Sequence, residues 1–108
     1  MSSVGNSIVS ENNSSLLEQE ILLRQAAETV PVGAQYQHFK PEQKVYEVVG
    51  HYIDEESREP AVLYRQVDYP QVIAGRLLRV FVSTVFVDGQ EIPRFTLFEP
   101  TADELGRD

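Results

Sequence analysis

The dipeptide Asp88-Gly89, flanked on both sides by apolar runs, constrains this chain more than any other feature. A two-residue hairpin connection needs positive φ at both central positions, which Asp tolerates and Gly adopts freely. Residues 77–87 (LLRVFVSTVFV) and 90–98 are therefore expected to run antiparallel. A strand as long as 77–87 is unusual in a small domain, so a bend is expected near Ser83-Thr84. Pro93 cannot donate to a ladder, which puts the returning arm at an edge or a bulge. Upstream, residues 36–39, 45–53 (VYEVVGHYI) and 61–67 (AVLYRQV) are short β-branched and aromatic runs that read as further strands. Gly50 is expected to mark a bulge or a close backbone approach, residues 54–60 a charged loop, and Tyr69-Pro70 a break. Five or six short strands within residues 32–98 suit a small, partly closed antiparallel β-barrel better than an open sheet with bare edges.

Ahead of this mainly β unit the pattern changes. Residues 1–13 are rich in Ser and Asn and are expected to form a disordered tail. Ser15-Leu16-Leu17-Glu18 matches a capping box, in which the serine hydroxyl accepts from a backbone amide and the glutamate reaches back to the cap. From there to Pro31, Leu16, Leu23, Ala26, Ala27 and Val30 share one side at 100° per residue, and Glu18, Gln25 and Glu28 the other. An amphipathic helix over residues 14–30 is expected, and its stripe must cover either its own domain or a partner, which includes a second copy of the chain.

The 108 residues fit one domain, with 42% apolar and 24% charged residues. The chain has no cysteine, which excludes a disulfide framework, a thiolate metal site and a cysteine nucleophile, and favours the cytoplasm. Neither a signal-peptide pattern nor an apolar run of transmembrane length is present, so no membrane association is expected. The formal charge of −8 is unevenly spread. Residues 1–31 hold four acids against one base, residues 99–108 the same, and the middle nine acids against seven bases. Acidity is thus mostly peripheral. It disfavours unselective nucleic-acid binding without excluding a local basic patch on the middle.

No phosphate-binding glycine loop, metalloprotease, hydrolase or EF-hand motif occurs. With only His38 and His51, a histidine-rich metal site is not expected, and no cofactor is implied. The carboxylates Asp54, Glu55, Glu56 and Glu59 read as a solvated loop. Arg65, Arg76 and Arg94 are more informative, because they sit in or beside strands. A guanidinium there is either paired within the fold, with Glu47, Glu56 or Glu91 as partners, or aimed at an anion, for which its fork is suited.

These residues also carry a family resemblance. Tyr36-Gln37-His38-Phe39-Lys40, Val45-Tyr46-Glu47-Val48, Val62-Leu63-Tyr64-Arg65, Arg76, Phe81, Thr84-Val85 and the closing Val87-Asp88-Gly89-Gln90-Glu91-Ile92-Pro93-Arg94-Phe95 together resemble the domain of unknown function 1653 family. The resemblance implies an SH3-type small β-barrel, usually encoded by bacteria, with no activity attached. Three stretches depart from the family pattern. Pro41 stands where a glycine is usual, Asp54-Glu55-Glu56-Ser57 replaces His-Ser-Glu-Thr, and Ala74-Gly75-Arg76-Leu77 replaces Trp-Val-Arg-Pro.

The candidate ligand-binding set is His38, Lys40, Glu56, Tyr64, Arg65, Arg76 and Arg94, with no catalytic residue assigned. The favoured reading is a non-catalytic binding module that recognises an anionic group on a peptide, nucleotide or nucleic acid, with Tyr36, Phe39 and Tyr64 offering apolar contact. Two alternatives stand beside it. One is an assembly protein acting through the helix from Leu16 to Val30. The other is an enzyme on a small anionic substrate, with Glu56 or His38 as general base.

Overall fold

A computed structural model describes residues 2–99, with side chains from Leu16 onward. The described residues form helix α1 (Ser2–Thr29), strands β1 (Gln35–His38), β2 (Val45–Ile53), β3 (Pro60–Gln66) and β4 (Tyr69–Leu77), a helical turn α2 (Leu78–Phe81), and strands β5 (Thr84–Val87), β6 (Gln90–Pro93) and β7 (Phe95–Phe98). One sheet has the order β4-β3-β2-β1-β7 and the other is the β5-β6 hairpin, every pairing being antiparallel. The hairpin pairs only with itself, so the barrel is partly closed, as expected. No helix among the described residues is long and apolar enough to cross a membrane.

The hairpin turn adopts the required geometry, with φ of 52° at Asp88 and 80° at Gly89. Gly50 adjoins a register shift between Val48 and Gly50, the expected bulge. The arm predicted over residues 90–98 is interrupted at Arg94, which separates β6 from β7 and sends them to different sheets. Pro93, which ends β6, stops the ladder there.

Two sequence expectations need correction. Residues 77–87 are not one bent strand: β4 ends at Leu77, and residues 78–81 make a helical turn before β5. Phe81 is 1% exposed and Leu78 packs against the core, whereas Arg79 and Val82 face outward. That spacing of three is helical, and it buries Phe81 where a strand's alternation could not also hide Leu78. Nor does Tyr69-Pro70 break the chain; it opens β4. This strand pairs only with β3, so Pro70 stands on an edge strand, the place in a sheet where a residue lacking N–H is tolerated. A Cβ at Gly75 on β4 would lie 2.5 Å from the hydroxyl of Tyr52, so a larger residue there would displace the end of that side chain.

The core joins Val30, Val48, Val62, Tyr64, Phe81 and Phe95, with Tyr36, Tyr46 and Leu78 packed around it. Phe81 and Phe95 stack at 4.1 Å between centroids, and Tyr36 and Tyr64 meet Phe81 edge-on. The end of α1 docks on β2 and β3 through Ala26 and Val30, which are 0% and 1% exposed. His51 Nε2 lies 2.6 Å from the Val30 carbonyl, which no longer has a helical partner. The apolar stripe predicted for the helix is therefore used only in part, because Leu16 is 60% exposed. The helix also extends past the capping box at Ser15. No proline or glycine between Asn6 and Val30 forces it to stop. The disordered tail expected over residues 1–13 lies outside the described side chains.

Candidate functional site

Strand alternation puts the functional side chains on one face. In an antiparallel ladder directly opposed residues share a face, and so do residues two apart on one strand. The pairs His38 with Phe95, Tyr36 with Tyr46, Tyr46 with Gln66, Tyr64 with Ala74 and Val62 with Arg76 trace one face across all five strands. Part of this face is core. Beyond the core residues, a cleft of about 500 Å³ opens between His38, Tyr46, Tyr64, Gln66, Arg76 and Phe95. Residues of the β1–β2 connection (Phe39, Lys40, Glu42, Lys44) and Arg94 complete its lining.

That connection is held over the cleft by backbone bonds. Gln43 donates to the Lys40 carbonyl with φ of 52°, His38 N–H donates to the Lys44 carbonyl, and Phe39 N–H donates to the Arg94 carbonyl. Arg94 is fixed further by Ser83, whose carbonyl accepts the Arg94 N–H at 2.9 Å and whose hydroxyl accepts Nε at 3.1 Å. The same hydroxyl donates to the Val80 carbonyl, so α2 anchors the arginine stem. On the opposite edge, Arg76 Nε donates to the Tyr64 hydroxyl at 3.1 Å. Each arginine is thus oriented by a neutral hydroxyl on Nε. Among the described residues neither has a carboxylate partner, and no hydrogen bond occupies the Nη groups of either.

Four cations, Lys40, Lys44, Arg76 and Arg94, face one carboxylate, Glu42, on a chain whose net charge is −8. The cleft is positive where the molecule is acidic. His38 registers this: burial first, then the charges of Arg76, Lys40 and Arg94, hold its imidazole below the usual histidine range, with Glu42 acting weakly the other way. The Lys40 N–H donates to His38 Nδ1 at 3.4 Å, so the neutral ring carries its proton on Nε2. Phe39 and Phe95 flank the imidazole at 4.7 and 4.9 Å between centroids.

Five residues singled out from the sequence, His38, Lys40, Tyr64, Arg76 and Arg94, come together in this cleft. Two do not. Arg65 points to the opposite face from Tyr64 and pairs with Glu47 at 3.3 Å across β2 and β3. The internal-pair reading thus applies to Arg65, whereas Glu91 accepts from Thr84 within the β5-β6 hairpin. Glu56 belongs to an exposed loop closed on Asp54, whose carboxylate accepts from the Ser57 amide and hydroxyl, both at 2.9 Å. These bonds hold the Asp54 carboxyl below its ordinary range. Tyr36, offered as an apolar contact, is instead packed against the core. The cleft also uses Glu42, Lys44, Tyr46, Gln66 and Phe95, which sequence reasoning did not select. Tyr46 and Gln66 become visible only from register, because each shares its parity with a core residue, Val48 and Tyr64 respectively. Among the described residues no group of three His, Asp or Glu side chains is placed to hold a metal ion.

A second hollow of about 330 Å³ adjoins the cleft, sharing Tyr46, Tyr64 and Gln66 with it and adding Arg65, Tyr69, Val72 and Ala74. Residues 34–97 match the model of a family described as a protein of unknown function (DUF1653). No curated protein and no solved structure matches the chain.

Proposed function

We propose that this chain, which belongs to the DUF1653 family, is a non-catalytic binding module that recognises an anionic group in the cleft between His38, Arg76 and Arg94. One observation carries the reading. Two arginines are fixed by neutral hydroxyls with their terminal nitrogens unpaired, inside a positive cleft on an acidic molecule. Leaving two guanidinium forks without a carboxylate is unfavourable for folding alone and useful for holding an anion. Of the two general bases an enzyme reading offers, Glu56 does not line the cleft, which leaves that reading His38 alone. The absence of cysteine and the family's usual occurrence suit work in a bacterial cytoplasm.

A low-salt thermal-shift screen of the full chain against phosphates, carboxylates, acidic peptides and oligonucleotides tests the proposal. An anion should raise the melting temperature by several degrees, with the gain absent in Arg76→Ala and Arg94→Ala and reduced by added salt. Variants that lose the fold rather than the response would make these arginines structural and defeat the reading.

A second reading rests on a separate observation. Leu16, Leu17 and Ile21 are 60%, 60% and 47% exposed on α1 ahead of its docked end, which suits helix-mediated assembly. Sedimentation of the full chain against Leu17→Lys decides it. A concentration-independent monomer in both would eliminate assembly through this helix.

A further inference from the structure

We propose, building on the anion-binding reading above, that the anion is the phosphate of a small phosphomonoester whose organic group crosses Tyr46 into the adjoining hollow beside Ala74 and Tyr69. The cleft's charge argues for phosphate. A carboxylate offers two oxygens and one negative charge, and a single guanidinium fork satisfies it. Here two forks and two ammonium groups oppose one glutamate, an excess of three positive charges. That excess matches a dianion with three terminal oxygens.

Neutral donors point the same way. The Tyr64 hydroxyl accepts from Arg76, and its own hydrogen has no acceptor among the described residues. His38, with Nδ1 engaged by the Lys40 amide, presents Nε2–H. A phosphate placed among these groups would also relieve the repulsion that Arg76, Lys40 and Arg94 exert on an imidazolium, so its arrival should draw a proton onto His38.

The organic half follows from the second hollow. Tyr69 and Val72 are 57% and 60% exposed there, Ala74 is small, and the one charged residue, Arg65, turns its side chain to the other face, where it pairs with Glu47. An uncharged, flat group fits such a wall, and the shared Tyr46, Tyr64 and Gln66 make the two hollows continuous. A small ligand is favoured over a polymer because the acidic exterior would repel a polyanion beyond the cleft.

The experiment titrates the full chain with inorganic phosphate, adenosine 5′-monophosphate, adenosine, succinate and a short RNA at one ionic strength, following heat and the His38 ring resonances. Phosphate should bind weakly and the nucleotide about tenfold more tightly, while adenosine and succinate leave His38 unmoved. Ala74→Trp should bring the nucleotide down to the affinity of phosphate without changing phosphate itself, and Lys40→Gln should weaken both. If Ala74→Trp does not fold, Val72→Asp reads the same wall. Succinate binding as tightly as phosphate, or a nucleotide binding no better than phosphate, overturns this inference and leaves anion recognition standing. Tighter binding of the RNA than of the nucleotide overturns it in favour of a nucleic-acid interface. No response to any anion overturns both.

Discussion

Replacing Val30 by alanine tests whether α1 belongs to the cooperative fold. Val30 is 1% exposed at the end of the helix, in contact with the cluster of Val48 and Val62, so the substitution removes two buried carbons. At about 0.8 kcal/mol per methylene the transfer loss is about 1.6 kcal/mol. The surrounding strands are held by their ladders and relax little, so the cavity left behind brings the total to about 2–3 kcal/mol. For a domain of this size each kcal/mol corresponds to about 4–8 °C in melting temperature. The control is Leu17→Ala on the same helix, at a side chain 60% exposed, for which a change within about 0.5 kcal/mol is expected. Urea titration of both variants, followed by circular dichroism, gives the two midpoints and slopes. A Val30→Ala midpoint indistinguishable from that of Leu17→Ala would refute the reasoning, since the helix would then be an appendage that unfolds without the sheet. A large shift with an unchanged slope would place the helix inside the same transition.

Other consequences separate the cleft from the scaffold. Arg65→Ala should leave anion binding intact and cost at most about 1 kcal/mol, because its pair with Glu47 is partly exposed, whereas Arg94→Ala should remove binding; parallel melting curves with and without phosphate compare them. Ser83→Ala should weaken anion binding without removing a charge from the cleft, since it frees the Arg94 stem; a loss in affinity smaller than that of Arg94→Ala is expected by titration calorimetry. Gly89→Ala should destabilise by about 1 kcal/mol or more, as its φ of 80° suits only glycine well, and a urea midpoint reads this directly. With its folded pKa lowered, His38 takes up protons more readily in the unfolded chain. Stability contributed at neutral pH should therefore decline as pH falls below about 6.5, and His38→Gln should flatten that slope in melting experiments.

Local chemistry was legible and long-range geometry was not. Asp88-Gly89 announced a turn, Gly50 a bulge or close approach and Pro93 an edge or a bulge, because each depends on backbone angles or a missing donor within a few residues; that the arm would split at Arg94 into strands of two sheets was not legible. The arginines near strands could be identified as unusual, yet their partners could not. Arg65 and Arg76 look alike in sequence, and only the register of β2, β3 and β4 sets one opposite Glu47 and the other beside the Tyr64 hydroxyl.

The chain's own pattern thus determined a mainly β unit with a leading helix and a closing hairpin, since alternation, helical periodicity and turn residues act over neighbours in sequence. Tertiary packing decided the rest. Residues 78–81 turn helical because Phe81 gains a stacked partner in Phe95, and β4 forms because β3 offers it an edge despite Pro70. The cleft draws on residues from His38 to Phe95, so its charge and its unpaired guanidinium groups exist only once five strands and two connections have met.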